Sequence, residues 1–387
     1  MKNRTKKQHY IAQCLLKIFV DNGNIYECIT DNKQIYKTSF RNSMCQNNVY
    51  ESNFFIDNHL ENFFANYIDG ATAIINRKII TKLNEEECNL ENVYKDFISN
   101  LHLYIVNYYK SITSLIRFSV KEMESEDASI ITMLSRILNK NYIKRLCIIF
   151  KKCYKFSVIK SIEGNFILCD QYLATCSTKY KGMFTNISSR DIGVKDTMIF
   201  IPLNHYYYFV FYDNDTDELK LSEDKINCLD EEQVRKINNV IYSNAYKKVV
   251  SSNAENIKLL EKQNTSLGDA TAMMVYKDGH SVSHRVKSEI FLTNEQVEFY
   301  KYYKKLTWGN PIYKKYPVNS KCPCGSDKKY KKCCKNKVDE CWRIFNNQRL
   351  NRDILINTKL GMEEPVRMPN NTGKEIIEMV ERERKKN

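Results

Sequence analysis

Four cysteines lie close together near the C-terminal end of the chain: Cys322, Cys324, Cys333 and Cys334. The first two are separated by one residue, and the adjacent pair follows after eight more. Zinc binds four soft ligands in a tetrahedron, and this spacing supplies four thiolates from two turns of the chain. We therefore predict a structural zinc site, with Zn²⁺ as the cofactor of these four side chains.

The residues between the cysteines suit such a site. Pro323 stiffens the first pair, Gly325 and Ser326 permit a tight turn whose amides face the sulfur atoms, and neighbouring lysines offset the thiolate charge. Two alternatives are four unligated thiols in a reducing compartment, or a strained disulfide within the adjacent pair Cys333 and Cys334.

The segment Lys-Cys-Pro-Cys-Gly-Ser-Asp-Lys-Lys-Tyr-Lys-Lys-Cys-Cys resembles the SEC-C motif over residues 321–335. SEC-C is the small zinc-binding module at the C-terminus of the SecA translocation ATPase, and it recurs at the ends of many unrelated bacterial proteins. The segment departs from the motif at Asp327, where the family usually has glycine. In SecA the module contacts a chaperone and the ribosome, so the resemblance implies docking to a partner rather than catalysis.

The length and composition indicate a multidomain globular protein. A chain of 387 residues exceeds the usual size of a single core, and its 43% hydrophobic content is enough to bury more than one. We predict an α+β domain over residues 1–265, a linker and helix over 266–318, a zinc module over 319–340 and a basic helical tail over 341–387.

The remaining cysteines and the apolar pattern predict a location in the cytoplasm. Ten cysteines outside the cluster are scattered without paired spacing, which is typical of reduced and mostly buried thiols. No run approaches the roughly 18 to 20 apolar residues of a membrane span. The apolar stretch from Ile11 to Val20 is interrupted by Gln13 and Lys17 and has no cleavage site.

Positive charge is concentrated at the C-terminal end. The formal net charge is +14, and residues 301–387 contain 22 Lys or Arg against 10 Asp or Glu, so they carry +12 of it. A tetrathiolate zinc site returns about two negative charges, which leaves the region basic. Such a region attracts polyanions, and we predict the ribosome, RNA or an acidic protein as partner. The alternative is a solvated basic surface without a partner.

The pattern of apolar residues predicts an α+β fold: an N-terminal hairpin, a helical middle, a small and mostly antiparallel sheet, and the zinc module. An alternating pattern on either side of Asp31 indicates the hairpin, and Asp230 with Gln233 forms a capping-box pattern. Residues 8–19 are predicted as a short helix or as a loop followed by a helix. Further helices are predicted over residues 57–83, 90–120, 129–153, 230–250 and 374–386, and strands over residues 24–30, 34–40, 156–160, 165–169, 198–203 and 206–212. Residues 268–285 and 299–316 are predicted as linker.

Residues 8–255 resemble a large bacterial family of unknown function whose members begin with a His-Tyr-Val-Pro-Gln signature before a strand hairpin. Here the segment begins Gln8-His-Tyr-Ile-Ala-Gln13. Three further segments resemble family features in the same order, namely residues 165–170, Phe200-Ile-Pro-Leu203, and Asn238-Asn239 with Ala245. The chain departs from the family pattern at Ala12, which replaces the signature proline, and at Gln171-Tyr172, which replace Asn-Pro. The resemblance implies no known activity.

The candidate catalytic residues of this region are His9, Gln13 and Asp170. On the predicted N-terminal helix, His9 and Gln13 share one face; Asp170 follows a predicted strand and would orient the imidazole as general acid or base. A buried hydrogen-bond network that pins the N-terminal segment to the sheet is the structural alternative. Lys110 and Arg117, on a predicted helix, are candidates for clamping an anionic substrate.

Several common catalytic motifs are absent from the sequence. It contains no phosphate-binding Gly-x-x-x-x-Gly-Lys loop, no Gly-x-Gly-x-x-Gly, no His-Glu-x-x-His and no Gly-x-Ser-x-Gly. His280 and His284 are flanked by loop residues and are interpreted as part of a surface loop. The first hypothesis is therefore a zinc-stabilised binding protein. The alternative is an enzyme acting on nucleic acid or a nucleotide, in a phage-defence setting, with the zinc module as its targeting device.

Overall fold

A computed structural model describes residues 7–20, 23–51, 58–119, 128–178, 192–193, 196–213, 218–263, 271–275, 281–285, 290–298, 316–340, 343 and 378. The helices of these residues are α1 (Gln13–Leu16), α2 (His59–Phe64), α3 (Gly70–Leu83), α4 (Leu90–Ser99), α5 (Leu101–Ser119), α6 (Ala128–Ile137), α7 (Lys140–Cys153), α8 (Glu231–Asn244) and α9 (Glu255–Lys258). The strands are β1 (Lys7–His9), β2 (Ile25–Ile29), β3 (Gln34–Thr38), β4 (Cys45–Asn47), β5 (Lys155–Ser161), β6 (Leu168–Cys169), β7 (Ala174–Ser177), β8 (Thr197–Pro202), β9 (Tyr207–Tyr212), β10 (Ile226–Leu229), β11 (Lys248–Ser251), β12 (Thr271–Val275) and β13 (Ser281–Arg285). The predicted α+β class is confirmed.

The main sheet has five strands in the order β10-β5-β9-β8-β7. All neighbouring strands are antiparallel except the parallel pair β10 and β5. Every residue of β8 and β9 is buried, so both faces of the sheet are covered. Helices α4 and α7 supply aromatic rings to this core. The ring centroids of Phe97 and Phe209 are 4.4 Å apart and those of Phe150 and Phe211 are 4.8 Å apart, and both pairs pack edge to face.

A second sheet has four antiparallel strands in the order β3-β2-β11-β6. Its first two strands are the predicted hairpin, which is confirmed. Asn32 accepts a hydrogen bond from the Gln34 amide within the turn, and Lys33 has a positive φ of 54°. Helix α8 packs against β6, β7 and β10, and so contacts strands of both sheets.

The predicted capping box of α8 is confirmed, but the predicted end of that helix is wrong. Asp230 accepts from the Gln233 amide, and the Gln233 side chain accepts from the Asp230 amide. The helix ends at Asn244 rather than near Val250, because residues 248–251 pair as β11 with β2 and β6. Long-range pairing therefore overrides the apolar spacing that favoured a longer helix.

Two further predictions are corrected. The helix predicted over residues 8–19 is only α1 and a 3₁₀ turn, Lys17–Phe19, because Lys7–His9 pairs with Cys45–Asn47 as a strand. The linker predicted over residues 268–285 contains the antiparallel hairpin β12–β13, and His284 lies in its second strand. His280, residues 299–315 and the predicted terminal helix, apart from Glu378, lie outside the described residues.

Chain beyond residue 265 packs against the main sheet. The Ser177 amide donates to the carbonyl of Ile290 at 2.7 Å, and the Gln263 side chain pairs with both the amide and the carbonyl of Phe291. Ile290 and Leu292 are buried in the same core as the strands. None of the described helices is long and apolar enough to span a membrane.

Candidate metal centre

The first cysteine pair is held by a short two-stranded segment. Lys321 and Lys329 form an antiparallel bridge, and the Cys322 amide donates to the carbonyl of Lys328 at 2.7 Å. The Gly325 amide donates to the Cys322 carbonyl, and Gly325 has a φ of +83°, a conformation that glycine adopts without strain. This turn brings Cys324 back over Cys322.

The second cysteine pair lies between two helical turns. A 3₁₀ turn covers Tyr330–Lys332, and the Cys333 amide donates to the carbonyl of Tyr330. Residues 335–340 are helical, and the Val338 amide donates to the Cys334 carbonyl. Tyr330 is buried, with its ring centroid 5.5 Å from that of Tyr316. The module therefore has only a small apolar core.

The four sulfur atoms converge, all within 4.8 Å of one another. The Sγ atoms of Cys324 and Cys333 are 3.5 Å apart, and those of Cys333 and Cys334 are 3.7 Å apart. Four thiolates at about 2.3 Å from a tetrahedral zinc ion would be about 3.8 Å apart. A disulfide would require about 2.05 Å, so the structure does not support the disulfide alternative. The donor set and its spacing fit a tetrahedral metal ion.

The surroundings of the cluster favour the thiolate form that binds a metal. Hydrogen bonds from the Ser326 hydroxyl and amide lower the pKa of Cys324 to about 6, with smaller contributions from Cys322 and Cys333. The Ser326 hydroxyl also lies 3.1 Å from the Cys333 sulfur. Ser326 therefore contacts two of the four cysteines, and such hydrogen bonds orient thiolates that bind a metal.

Asp327, the departure from the SEC-C motif, adopts the conformation that the motif's glycine favours. Its φ is +58°, a left-handed value that aspartate tolerates better than most residues. Its carboxylate accepts from the Lys321 ammonium at 2.8 Å across the turn. The ion pair is exposed and contributes little energy, but the turn itself is retained without glycine.

His9 lies in β1 rather than on a helix, and both of its ring nitrogens have partners. Its Nε2 lies 3.2 Å from the carbonyl of Arg41, which only accepts, so Nε2 carries the proton. Its Nδ1 then accepts from the side-chain Nε2 of Gln13 at 3.4 Å. Burial lowers the pKa of His9 to about 4. His9 and Gln13 are thus neighbours, and the imidazole is neutral near pH 7.

Asp170 is fully buried and binds backbone amides. Its Oδ1 accepts from the Tyr246 amide at 2.7 Å, and its Oδ2 accepts from Lys247 and Lys248 at 2.7 and 2.9 Å. Burial raises the pKa of Asp170, and these three amides act in the opposite direction. No hydrogen bond joins Asp170 to His9 within the described part of the chain. The predicted arrangement in which Asp170 orients the imidazole is therefore not formed.

A cleft of about 590 Å³ opens elsewhere on the domain. Helix α8, residues 259–263 and residues 292–298 line it, and none of His9, Gln13 and Asp170 does. Lys110, a predicted anion clamp, is 1% exposed and binds both carboxylate oxygens of Asp69, so it is already paired. The side chain of Arg117 lies outside the described residues.

Comparison with known proteins gives two matches. Residues 7–255 match the family described as protein of unknown function, DUF4238. The chain belongs to this family. Residues 319–336, which include all four clustered cysteines, match the SEC-C motif. The motif and the sulfur geometry together are consistent with a zinc-binding module. No curated protein and no solved structure matches the chain. The His-Tyr-x-x-Gln signature within the DUF4238 domain stays a prediction.

Sequence reasoning named Asn238 only as part of a family resemblance and missed Asn244, although both side chains bind α8 to the backbone beside it. Asn238 accepts from the Ile167 amide and donates to the carbonyl of Asn165, and Asn244 pairs in the same way with both backbone groups of Thr175. The side-chain amides of these two α8 residues therefore bind backbone groups in the way that a neighbouring strand would. Two asparagines six positions apart on one helix were the available signal, since asparagine is an unfavourable residue inside helices.

Proposed function

We propose that this chain is a zinc-stabilised binding protein whose basic C-terminal module docks the DUF4238 domain to RNA, such as that of the ribosome. The observation that carries the proposal is the arrangement of lysines around the cysteine cluster. Lys328, Lys329, Lys331 and Lys332 are exposed, and none of them forms an ion pair with a described residue. Four cations therefore flank the folded cluster within five positions.

Zinc is the metal that this donor set favours. Four thiolates in a closed tetrahedron are typical of structural zinc, with no open position for a substrate. When bound, the ion supplies the energy that folds a module with almost no apolar core. The residues that would hold it are Cys322, Cys324, Cys333 and Cys334.

Net charge supports a polyanionic partner. Residues 319–336 contain six lysines and one aspartate, and four thiolates with a divalent ion add −2, so the folded module retains about +3. Lysine ammonium groups bind phosphates as point charges without reading a sequence. RNA is favoured over an acidic protein because lysines spaced along a turn match a regular array of phosphates better than scattered carboxylates.

Binding is favoured over catalysis by the contacts of two candidate catalytic residues, His9 and Asp170. Asp170 has both oxygens on backbone amides, and His9 has both ring nitrogens in hydrogen bonds. Both groups are buried and already engaged in hydrogen bonds, Asp170 with three backbone amides. The enzyme hypothesis requires Asp170 or His9 to exchange these partners for a substrate.

The test is salt-dependent binding to a labelled single-stranded RNA. We compare the full chain, a chain ending at Asn319, and a full chain in which Lys328, Lys329, Lys331 and Lys332 are changed to Gln. Four phosphate contacts predict that the logarithm of the RNA-binding constant falls with the logarithm of the salt concentration with a slope of about −3. Both altered proteins should lose this salt-dependent binding. The matched control changes four exposed lysines of the DUF4238 domain to Gln: Lys144, Lys151, Lys152 and Lys225.

Three outcomes separate the possibilities. RNA binding by the full chain and the control, but not by the truncated or module variants, supports the proposal. Equal RNA binding by all four proteins contradicts it. Binding of the module to polyglutamate but not to RNA would replace RNA with an acidic protein partner.

A further inference from the structure

Arg136 is a buried arginine with no hydrogen-bond partner among the described residues. It lies in the last turn of α6, and its side chain is 0% exposed. None of its three guanidinium nitrogens, Nε, Nη1 and Nη2, has an acceptor in the described part of the chain. Helix α6 packs against α5 and α7 and also contacts β13, so Arg136 lies on a helix that is covered on several sides.

Such a group is costly to bury alone. Arginine stays protonated under all physiological conditions, so it cannot escape burial by losing its charge. A buried charge without a partner costs several kcal/mol, and native proteins retain buried polar groups with an acceptor. Arg136 therefore requires a negatively charged or strongly accepting group that the described side chains do not provide.

Two buried tyrosines lie beside Arg136. The guanidinium carbon lies 5.5 Å from the centre of the Tyr109 ring, and the Tyr109 and Tyr142 hydroxyls are 2.9 Å apart. One hydroxyl donates to the other, so one phenolic proton of the pair remains for a further acceptor. Burial raises the pKa of Tyr109 and of Tyr142, so neither becomes a phenolate counter-charge near pH 7.

Lys110 shows how the same domain treats a buried cation that has a structural role. Its ammonium lies 3.0 and 2.9 Å from the two carboxylate oxygens of Asp69 and 4.7 Å from the centre of the Phe64 ring. Arg136 has the aromatic neighbour but lacks the carboxylate. The difference between the two sites is one acidic group.

We propose that Arg136 and the Tyr109–Tyr142 hydroxyl pair bind the carboxylate or phosphate group of a small ligand. The fork of guanidinium donors matches two oxygens of either group, and the spare phenolic proton reaches a third acceptor position. The guanidinium has no solvent exposure, so a ligand could reach it only when the helical layer opens, and a bound ligand would dissociate slowly. This site belongs to the DUF4238 domain and does not depend on the C-terminal module.

The experiment measures thermal unfolding of the full chain in chloride, inorganic phosphate or acetate at matched ionic strength. The variants are Arg136→Met, which removes the charge while keeping an apolar side chain, and Tyr142→Phe, which removes one hydroxyl. The control is Arg145→Met, because Arg145 is exposed on the neighbouring α7. At an anion concentration one hundred times its Kd, the Tm of the wild type and of the control should rise by roughly 5 to 10 °C. The rise should be smaller in Tyr142→Phe and absent in Arg136→Met.

The two anions identify the ligand group: a response to phosphate alone indicates a phosphate ligand, and a response to acetate alone indicates a carboxylate. A second measurement covers a ligand that is already bound. The purified wild type is denatured, and the released small molecules are identified by mass spectrometry; a stoichiometric phosphorylated or carboxylated compound supports the site even if Arg136→Met does not fold.

The proposal is overturned if Arg136→Met and the wild type respond equally to both anions. It is also overturned if the wild type responds to neither and releases no such compound.

Discussion

The C-terminal module and the DUF4238 domain are held together in opposite ways. In the module, four sulfur atoms within 4.8 Å of one another replace a hydrophobic core, and Tyr330 is among the few buried side chains. In the DUF4238 domain, two sheets and a helical layer bury an extensive apolar core. With the proposed zinc ion bound, stability in the first region would depend on a single local set of ligands, whereas in the second it is spread over many distant contacts.

The difference predicts that one substitution abolishes the fold of the module. Changing Cys322 or Cys333 to Ser should reduce the metal content from about one ion per chain to none, because a structural zinc site contributes about 10 to 16 kcal/mol to folding. Elemental analysis measures the metal, and limited proteolysis should show cleavage confined to the end of the chain. The matched control is Cys228→Ser, a substitution of an exposed cysteine in the DUF4238 domain. Stoichiometric metal in both ligand variants would refute the site.

The DUF4238 domain should lose part of its stability when one buried partner is removed. Asp170→Asn replaces an acceptor of three backbone amides by a group with one acceptor oxygen and an unwanted donor. We expect a loss of about 3 kcal/mol in the free energy of unfolding, because buried donors are left unsatisfied. Urea unfolding measures it, with the exposed Asp224→Asn as control. A loss below about 1 kcal/mol would mean that the carboxylate does not join the two segments.

His9 should make the DUF4238 domain sensitive to acid. Its pKa is about 4 in the folded protein against 6.5 in the unfolded chain, so the unfolded chain binds the proton first. The stabilising contribution of the neutral imidazole is present above pH 6.5 and is lost as the pH falls towards 4. It amounts to about 3 kcal/mol.

The measurement is the pH dependence of urea unfolding for the wild type and His9→Gln between pH 7 and 4. The wild type should lose stability relative to the variant across this window, and the difference between them should be constant above it. Parallel curves over the whole range would show that His9 titrates normally and is accessible to solvent. That result would also strengthen the hypothesis that His9 is catalytic.

The smallest expected effect concerns the α8 capping box. Asp230→Ala removes a side chain that accepts from the Gln233 amide at the exposed start of the helix. We expect a loss of about 1 kcal/mol in the free energy of unfolding, with Glu231→Ala as the neighbouring control. The same effect in both variants would assign the loss to charge at the helix start rather than to the cap.

Local patterns were predicted correctly and long-range pairings were not. The hairpin around Asn32, the cap at Asp230 and the cysteine spacing each involve residues within about a dozen positions of one another, so their geometry is encoded in a short segment. The β1 strand was predicted as helix because its partner, β4, lies more than thirty residues away. The end of α8 was misplaced for the same reason, since β11 pairs with β2 from the start of the chain.

By itself the sequence determined the cluster of four cysteines, the excess of basic residues beside it, the α+β class and the local caps and turns. These properties depend on residue type and short spacing, which folding does not change. Only the tertiary structure decided that Asp170 binds backbone amides, that His9 lies in a strand, and that Arg136 is buried without a described acceptor. Burial and partner choice are decided by segments that are distant in the chain, and no local pattern specifies which of them will meet.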